Sequence, residues 1–396
     1  MRSYYLLEAI ADEFDVDLVC IVQDKLLESY FPSLEFGLEV ASEKLNSFCN
    51  DVKFFSMDHR NRTIDKVCLA AKCLIGKKAY SVEWHASSAM ETYLSSLSDM
   101  ANYELVHFDT LALAKYVDYF KDTKKVLDHH NIESSMMLTR SRKTKNKLLS
   151  SYLYLEYLNI LRAEDHVCSL FSAHISCSKG DADYLKRKYP IPLSIEIENL
   201  VDISDGNFTR TVTQSEVRGL FIGGLDWYPN RDAAHHFLTE LIDPISAAVP
   251  HFSIDIIGKN PDPELRDLAE GYSNVTLHGF VEDLQQFYAQ SDFFICTIRD
   301  GGGTKLKVID AMAKRQTVIG YPEAFDGLAV TDGFNALICN SPDELVKKLK
   351  HYSTKKQELQ DIGNRAREYI VKKHSTQVVG HKIKKLYSEI IETERI

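Results

Sequence analysis

Along the chain, short uninterrupted apolar runs alternate with longer stretches in which apolar side chains recur at helical spacing. Asp17–Val22 and residues 52–56, 104–108, 125–130, 173–177 and 194–198 read as strands. Runs that are apolar at consecutive positions suit strands covered by helices on both faces, as in parallel sheets. Helical spacing marks residues 1–14, through Leu6, Ile10 and Phe14, and residues 144–167. Residues 202–216 are polar and unpatterned and read as an interdomain linker. The rhythm then restarts: residues 217–223, Phe252–Ile257, 274–278, 293–298, Thr317–Gly320 and 336–339 read as strands. Residues 229–248, 264–270, 284–290 and the carboxyl-terminal stretch carry helical patterns. Alternation in two blocks predicts an α/β protein of two doubly wound parallel sheets, with ligands at the carboxyl ends of the strands.

Composition sharpens this picture. At 396 residues the chain is long enough for two or three domains. Of its 18 glycines, only Gly37, Gly76, Gly180 and Gly206 precede residue 210, whereas twelve lie between Gly219 and Gly333. Backbone that approaches a ligand closely, or turns sharply into a helix, uses glycine. The second block is therefore expected to hold a backbone-lined site. A net charge of −10, from 47 basic and 57 acidic residues, argues against nucleic acid as a partner. The eight cysteines form no C-x-x-C and read as buried and reduced, not as metal ligands. No apolar run approaches the roughly 18 residues of a membrane span, and the first residues lack a signal-peptide core. The expectation is a cytoplasmic protein, at most peripheral at the inner face of a membrane. One stretch bears on that point: Thr139-Arg-Ser-Arg-Lys-Thr-Lys-Asn-Lys147 has five cations in nine residues, ahead of the aromatic-rich Tyr152-Leu-Tyr-Leu-Glu-Tyr157. A solvated loop accounts for it, and so does contact with anionic lipid.

The densest chemistry lies in Cys296-Thr-Ile-Arg-Asp-Gly-Gly-Gly-Thr-Lys-Leu-Lys-Val-Ile-Asp-Ala-Met-Ala313. Gly301, Gly302 and Gly303 stand between a buried strand and an amphipathic helix. Free amides at a helix N-terminus, aided by the helix dipole, make an anion site. Lys305 and Lys307 add positive charge one turn in. Asp310, about two turns along, suits two vicinal hydroxyls such as those of a ribose. A helix that merely starts after a flexible turn is the alternative.

These residues resemble the donor-binding signature of GT-B-fold retaining glycosyltransferases of the GT4 type (glycosyl transferases group 1). Other segments resemble the same family in the same order. Leu127-Asp-His-His-Asn-Ile-Glu-Ser134 resembles an element at a strand end, and Ile197-Glu-Asn-Leu-Val-Asp202 the close of the first domain. Leu220-Phe-Ile-Gly-Gly-Leu-Asp-Trp-Tyr-Pro-Asn230 resembles the first strand and loop of the donor domain. Val275-Thr-Leu-His-Gly-Phe-Val281 and Tyr321-Pro-Glu-Ala-Phe-Asp-Gly-Leu328 resemble later donor-domain segments. The resemblance implies two Rossmann-like domains facing a cleft. Residues 1–205 would bind acceptor, 206–373 would bind donor, and 374–396 would form a helix packing back across the junction. In the family a strand and a glycine loop precede the first helix, and both are missing from this sequence. A truncated or misassigned start, a sheet closed by other strands, and a non-catalytic relative each account for that.

The resemblance also assigns roles. The amides of Gly301–Gly303, with Thr304 and with Lys305 or Lys307, would hold the donor diphosphate, and Asp310 its ribose. Gly223 and Gly224 would let backbone approach the donor. Arg231 and Lys259 are phosphate candidates and equally ordinary surface cations. His129 and His130 are the catalytic candidates, binding acceptor or steadying charge, with capping of the strand end as the alternative; Glu133 is a weaker one. The family carries two glutamates eight residues apart; here those positions are Gly302 and Asp310, as in a sub-branch with a Gly-x-Gly-Thr-x-Leu-Lys pattern. The sugar contact is thereby left unassigned. His235-His236 lacks a third ligand nearby, so no metal is expected. The implied activity is retaining, metal-independent transfer from a nucleotide-diphosphate sugar, a co-substrate in place of a cofactor, to a glycan or lipid-linked acceptor in polysaccharide biosynthesis. A non-catalytic nucleotide-sugar-binding or scaffold relative and a nucleotide-sugar epimerase are the alternatives.

Overall fold

The computed structural model describes residues 2–58, 63–98, 103–190, 193–203, 216–300 and 303–393. The chain divides into two compact units, one of Leu6–Ile197 with Gly380–Ile396, the other of Glu198–Val379 with Met1–Tyr5. Most of the linker expected over 202–216 lies outside the described residues.

The amino-terminal unit contains strands β1 (Asp17–Val22), β2 (Asp51–Ser56), β3 (Leu105–Asp109), β4 (Lys124–His129), β5 (Ala173–Ser176) and β6 (Ser194–Glu196). All pair in parallel, but in two sheets: β1 with β2, and β3-β4-β5-β6 in chain order. The single doubly wound sheet expected here is thus corrected to two. The two sheets share one core, in which Val19, Ile21 and Phe55 pack against a cluster that includes Phe108, Leu111, Tyr116 and Leu127. The Tyr103 hydroxyl, just ahead of β3, donates to the Asp17 carboxylate at 2.8 Å and ties the sheets at one end. The chain's last helix, Thr376–Glu392, joins this unit from Gly380 onward. There the Tyr387 hydroxyl meets His107 Nδ1 at 2.6 Å, and Lys124 donates to the carbonyl of Ile390 at 2.6 Å.

Between β4 and β5 the helices Glu133–Lys143 and Lys147–Val167 pack as a hairpin. Asn146 caps the second helix, its side chain accepting from the Leu149 amide at 3.1 Å. The basic stretch read as a loop is therefore mostly helical, with only residues 144–146 between the helices.

The carboxyl-terminal unit holds β7 (Val217–Ile222), β8 (Phe252–Ile257), β9 (Val275–His278), β10 (Phe293–Cys296), β11 (Thr317–Gly320) and β12 (Leu337–Ile338). Its one parallel sheet has the order β12-β11-β10-β7-β8-β9, the doubly wound Rossmann arrangement. Every residue of β10 and β11 is buried, the physical reason their sequences are unbroken runs without polar alternation. Asp262 and Ser341 cap helices that begin with Pro263 and Pro342, where a missing N–H does no harm. The helix expected over 229–248 forms, running without a gap through Tyr228–His236, Phe237–Leu241 and Ile242–Ala248. Pro244 has no amide to offer the Glu240 carbonyl, and the chain widens into a π-turn over Phe237–Leu241, with the Ile242 amide bonded to the Phe237 carbonyl. No helix among the described residues is long and apolar enough to cross a membrane.

Candidate functional site

In a doubly wound sheet, ligands bind where the strand order reverses, beyond the carboxyl ends of the strands. In the carboxyl-terminal unit that point lies between β7 and β10. Beyond β7 come Gly223 and Gly224. The Gly223 amide donates to the Ile257 carbonyl at 2.9 Å, and the Leu225 amide to the Lys259 carbonyl at 3.1 Å, so pairing with the β8 side continues past the strands. This closeness excludes side chains: a Cβ on Gly258 would stand 2.0 Å from the Gly223 carbonyl oxygen. Beyond β10, Gly301 and Gly302 lie outside the described residues. Gly303 has φ +71°, a left-handed turn that glycine adopts without strain. Thr304 is buried, and the helix Leu306–Ala313 follows.

Asn230 joins the two sides of this point. Its amide nitrogen donates to the Gly224 carbonyl at 3.0 Å, and its oxygen accepts from Lys307 at 2.6 Å. The Lys307 ammonium also lies 4.9 Å from the centre of the Phe221 ring. Burial holds it below its ordinary pKa, and the neighbouring Lys305 charge adds to the shift. Lys305 curls back, donating to the Gly303 carbonyl at 2.7 Å with the Asp326 carboxylate 3.7 Å away. Two lysines thus flank the helix start.

One oxygen of Asp310 accepts from the Tyr288 hydroxyl at 2.6 Å. Tyr288 is buried, and burial, followed by the adjacent Asp310 charge, holds its hydroxyl protonated well above the ordinary range. Sequence reasoning missed this residue, since an aromatic position on a short helix reads as core. It also missed the chain of contacts behind Thr304. The Thr304 carbonyl accepts from the Asn199 amide at 3.2 Å, and Asn199 Oδ1 accepts from Arg2 at 3.2 Å. Of the other donor candidates, Arg231 lies 3.7 Å from Asp262, a carboxylate that also meets His235 at 3.1 Å. Lys259 follows Gly258 at the end of β8. His236 meets the Tyr321 hydroxyl at 2.8 Å, so the histidine pair is held by protein groups.

In the amino-terminal unit the two histidine candidates separate. His129 lies in the core: its side chain is buried, and its Nε2 meets His174 Nδ1 at 2.9 Å. His174 Nε2 donates to the Cys168 carbonyl at 2.8 Å, so in the neutral ring His174 Nδ1 accepts from His129. Burial drives His129 down to about 3 and His174 to about 4. Strand alternation explains the split, because consecutive residues at a strand end point to opposite faces. His130 is one-third exposed and meets Asp109, at the end of β3, at 2.7 Å. Glu133, in the first turn of the next helix, accepts from the Ser81 hydroxyl at 3.2 Å. Burial pushes its carboxyl up to about 7, against the Ser81 bond that favours the charged form. The carboxyl ends of β3 and β4 therefore gather Asp109, His130 and Glu133.

Among the described residues, two groups have three ligand atoms within 4.8 Å of one another, His129–Cys168–His174 and His107–Asp109–Asp128. In both, donors already serve protein contacts: His129 with His174, His107 with Tyr387, and Asp109 with His130.

The fold class is GT-B, α/β with two Rossmann-like units, shared with solved glycosyltransferase structures. Among them are sucrose-phosphate synthase from Thermosynechococcus elongatus (14% identity, 96% of this chain and 99% of that one, TM-score 0.65) and Anabaena HepE, solved with UDP and glucose (14%, 98% and 96%, TM-score 0.66). The pneumococcal O-GlcNAc transferase GtfA, solved with UDP and GlcNAc, is also similar (12%, 76% and 60%, TM-score 0.55). Residues 216–354, which hold the switch point, match the family model described as Glycosyl transferases group 1. No curated protein sequence matches the chain.

Proposed function

We propose that this protein is a glycosyltransferase that moves a sugar from a nucleotide-diphosphate donor to a glycan or lipid-linked acceptor in polysaccharide biosynthesis. The observation that carries the reading is the convergence of Gly223–Gly224 backbone, a helix N-terminus and Lys307 at the β7–β10 switch point, inside the segment that matches Glycosyl transferases group 1. HepE and GtfA, similar in fold, were solved with UDP, which supports a nucleotide-sugar donor.

Amides of the 301–303 loop, Thr304, Lys305 and Lys307 hold the diphosphate and offset the charge that develops as it departs. No metal is required for that role when two lysines and a helix N-terminus supply it. Asp310, steadied by Tyr288, takes the ribose hydroxyls. Transfer breaks the bond between the sugar's anomeric carbon and the phosphate oxygen and forms one to the acceptor oxygen on the same face. The departing phosphate oxygen takes the acceptor proton. His130, paired with Asp109, binds the acceptor hydroxyl or steadies charge beside it. The amino-terminal unit serves the acceptor and the carboxyl-terminal unit the donor.

Thermal denaturation against uridine, guanosine and adenosine diphosphate sugars tests the reading. At least one is expected to raise the melting temperature, by an increment that grows with the logarithm of its concentration above Kd. If none does at millimolar concentration, the donor assignment fails.

A further inference from the structure

The tip of the helical hairpin Glu133–Lys143 and Lys147–Val167 has no part in the proposed chemistry, and its surface is unlike the rest of the chain. Between Glu133 and Glu156 there is no Asp or Glu, whereas Arg140, Arg142, Lys143, Lys145 and Lys147 are all present and exposed. This is a cationic tip on a chain of net charge −10. The acidic residues sit at the hairpin's root, where Glu156 accepts from the Tyr80 amide and Glu164 from Ser134. Apolar side chains stand out among the cations. Leu148 is 86% exposed, and Leu149, Tyr154 and Leu155 are each about half exposed. Leu148 and Leu155 are seven residues apart and share a helix face. Leu138 and Arg142 of the first helix and Tyr154 and Leu155 of the second line an open groove of about 460 Å³.

We propose that this tip docks the protein onto an anionic lipid bilayer. The cations meet the headgroups, and Leu148, Leu149 and Leu155 enter the interface below them. Charge complementarity selects this occupant. Two copies of the tip would set five cations against five, which disfavours a second copy of the chain. Nucleic acid would satisfy the charge but leave the leucines in water. A bilayer answers both, through headgroup attraction and burial of apolar side chains at the acyl boundary. The first helix ends on Arg140, Arg142 and Lys143, where its dipole already favours cations. Lys145 and Lys147 lie beyond that helix, and the exposed leucines are not explained by a dipole.

Co-sedimentation of the full chain with phosphatidylglycerol–phosphatidylcholine vesicles, against phosphatidylcholine alone, tests the proposal. The protein is expected to pellet with the anionic vesicles at low salt and to be released at high salt. Lys143→Glu/Lys145→Glu/Lys147→Glu should weaken partitioning at least about tenfold, and Leu148→Ser/Leu155→Ser should weaken it with less dependence on salt. Melting temperatures of both variants separate lost binding from lost folding. The proposal is overturned if the protein ignores anionic vesicles, binds neutral ones equally, or binds undiminished in both variants. Dimerisation abolished by the leucine variant, without vesicle binding, would assign the face to a second copy and also overturn it. Sugar transfer does not enter the readout, so the result stands apart from the proposed activity.

Discussion

Replacing Tyr288 by Phe removes one hydroxyl and nothing else. In the folded protein that hydroxyl donates to an Asp310 carboxylate oxygen at 2.6 Å, from a buried side chain. Hydrogen bonds to a charged acceptor contribute about 1.5–3 kcal/mol, and the short distance and burial place this one in that range. For a unit of this size each kcal/mol moves the melting temperature by about 2–4 °C, so Tyr288→Phe should lower it by roughly 3–12 °C. The same bond orients the carboxylate assigned to the ribose. The variant should therefore also raise the donor Kd about three- to tenfold, while Asp310→Asn should raise it about tenfold or more. A double-mutant cycle on donor binding decides the matter. If Tyr288 acts through Asp310, adding Tyr288→Phe to Asp310→Asn should weaken binding little further. Fully additive losses, or a Tyr288→Phe protein that melts within about 1 °C of wild type, would refute the reasoning.

The two adjacent histidines should respond in opposite ways. His130→Ala should abolish most transfer activity while shifting the melting temperature little, since its contact with Asp109 is one-third exposed on both sides and such pairs contribute about 0–1 kcal/mol. His129→Ala, which opens a buried site and strands His174, should destabilise by about 2–4 kcal/mol, with activity lost only as folded protein is lost; denaturant unfolding beside a transfer assay reads both. Glu133 gives a pH signature. Its folded-state pKa is raised from 4.5 to about 7, so the folded form binds its proton more tightly than the unfolded one. The resulting stabilisation is full below about pH 4.5 and is lost as pH rises through 7. Unfolding of Glu133→Gln at pH 5 and pH 8 should show a smaller fall in stability than wild type; an unchanged pH profile would remove Glu133 from the account.

Much of the fold and part of the candidate site are legible in the sequence. The strands of the carboxyl-terminal unit follow from runs such as 293–296, whose uninterrupted apolar character reflects burial on both faces. The concentration of glycines after Gly219 pointed to close backbone approach and sharp turns; Gly258 packed against the Gly223 carbonyl is such an approach, and Gly303 such a turn. Helix geometry shifted where a single residue acted through its neighbours. Pro244 sits just past a π-turn in a helix that periodicity read as regular, because its missing amide matters only to the carbonyl four residues before it. The division of the amino-terminal strands into two sheets was not legible, because apolar runs do not encode which edges pair.

Sequence by itself determined the local quantities: which segments are strands or helices, where backbone must come close, where positive charge gathers. Those depend on residues within a few positions of one another, and periodicity carries them. Partnership was decided only by tertiary structure. His129 and His130 are neighbours in the chain, yet one stacks in the core on His174, 45 residues away, and the other reaches Asp109 at a neighbouring strand end. Tyr288 gains its role from Asp310, and Asn230 from Lys307, across separations that no local pattern spans. The hairpin tip follows the same rule. Its charge was plain in the sequence, but only the packing of two helices decided that Leu148 and Leu155 would stand outside the core among those cations. Side-chain identity sets what a residue can do, and the fold sets what it meets.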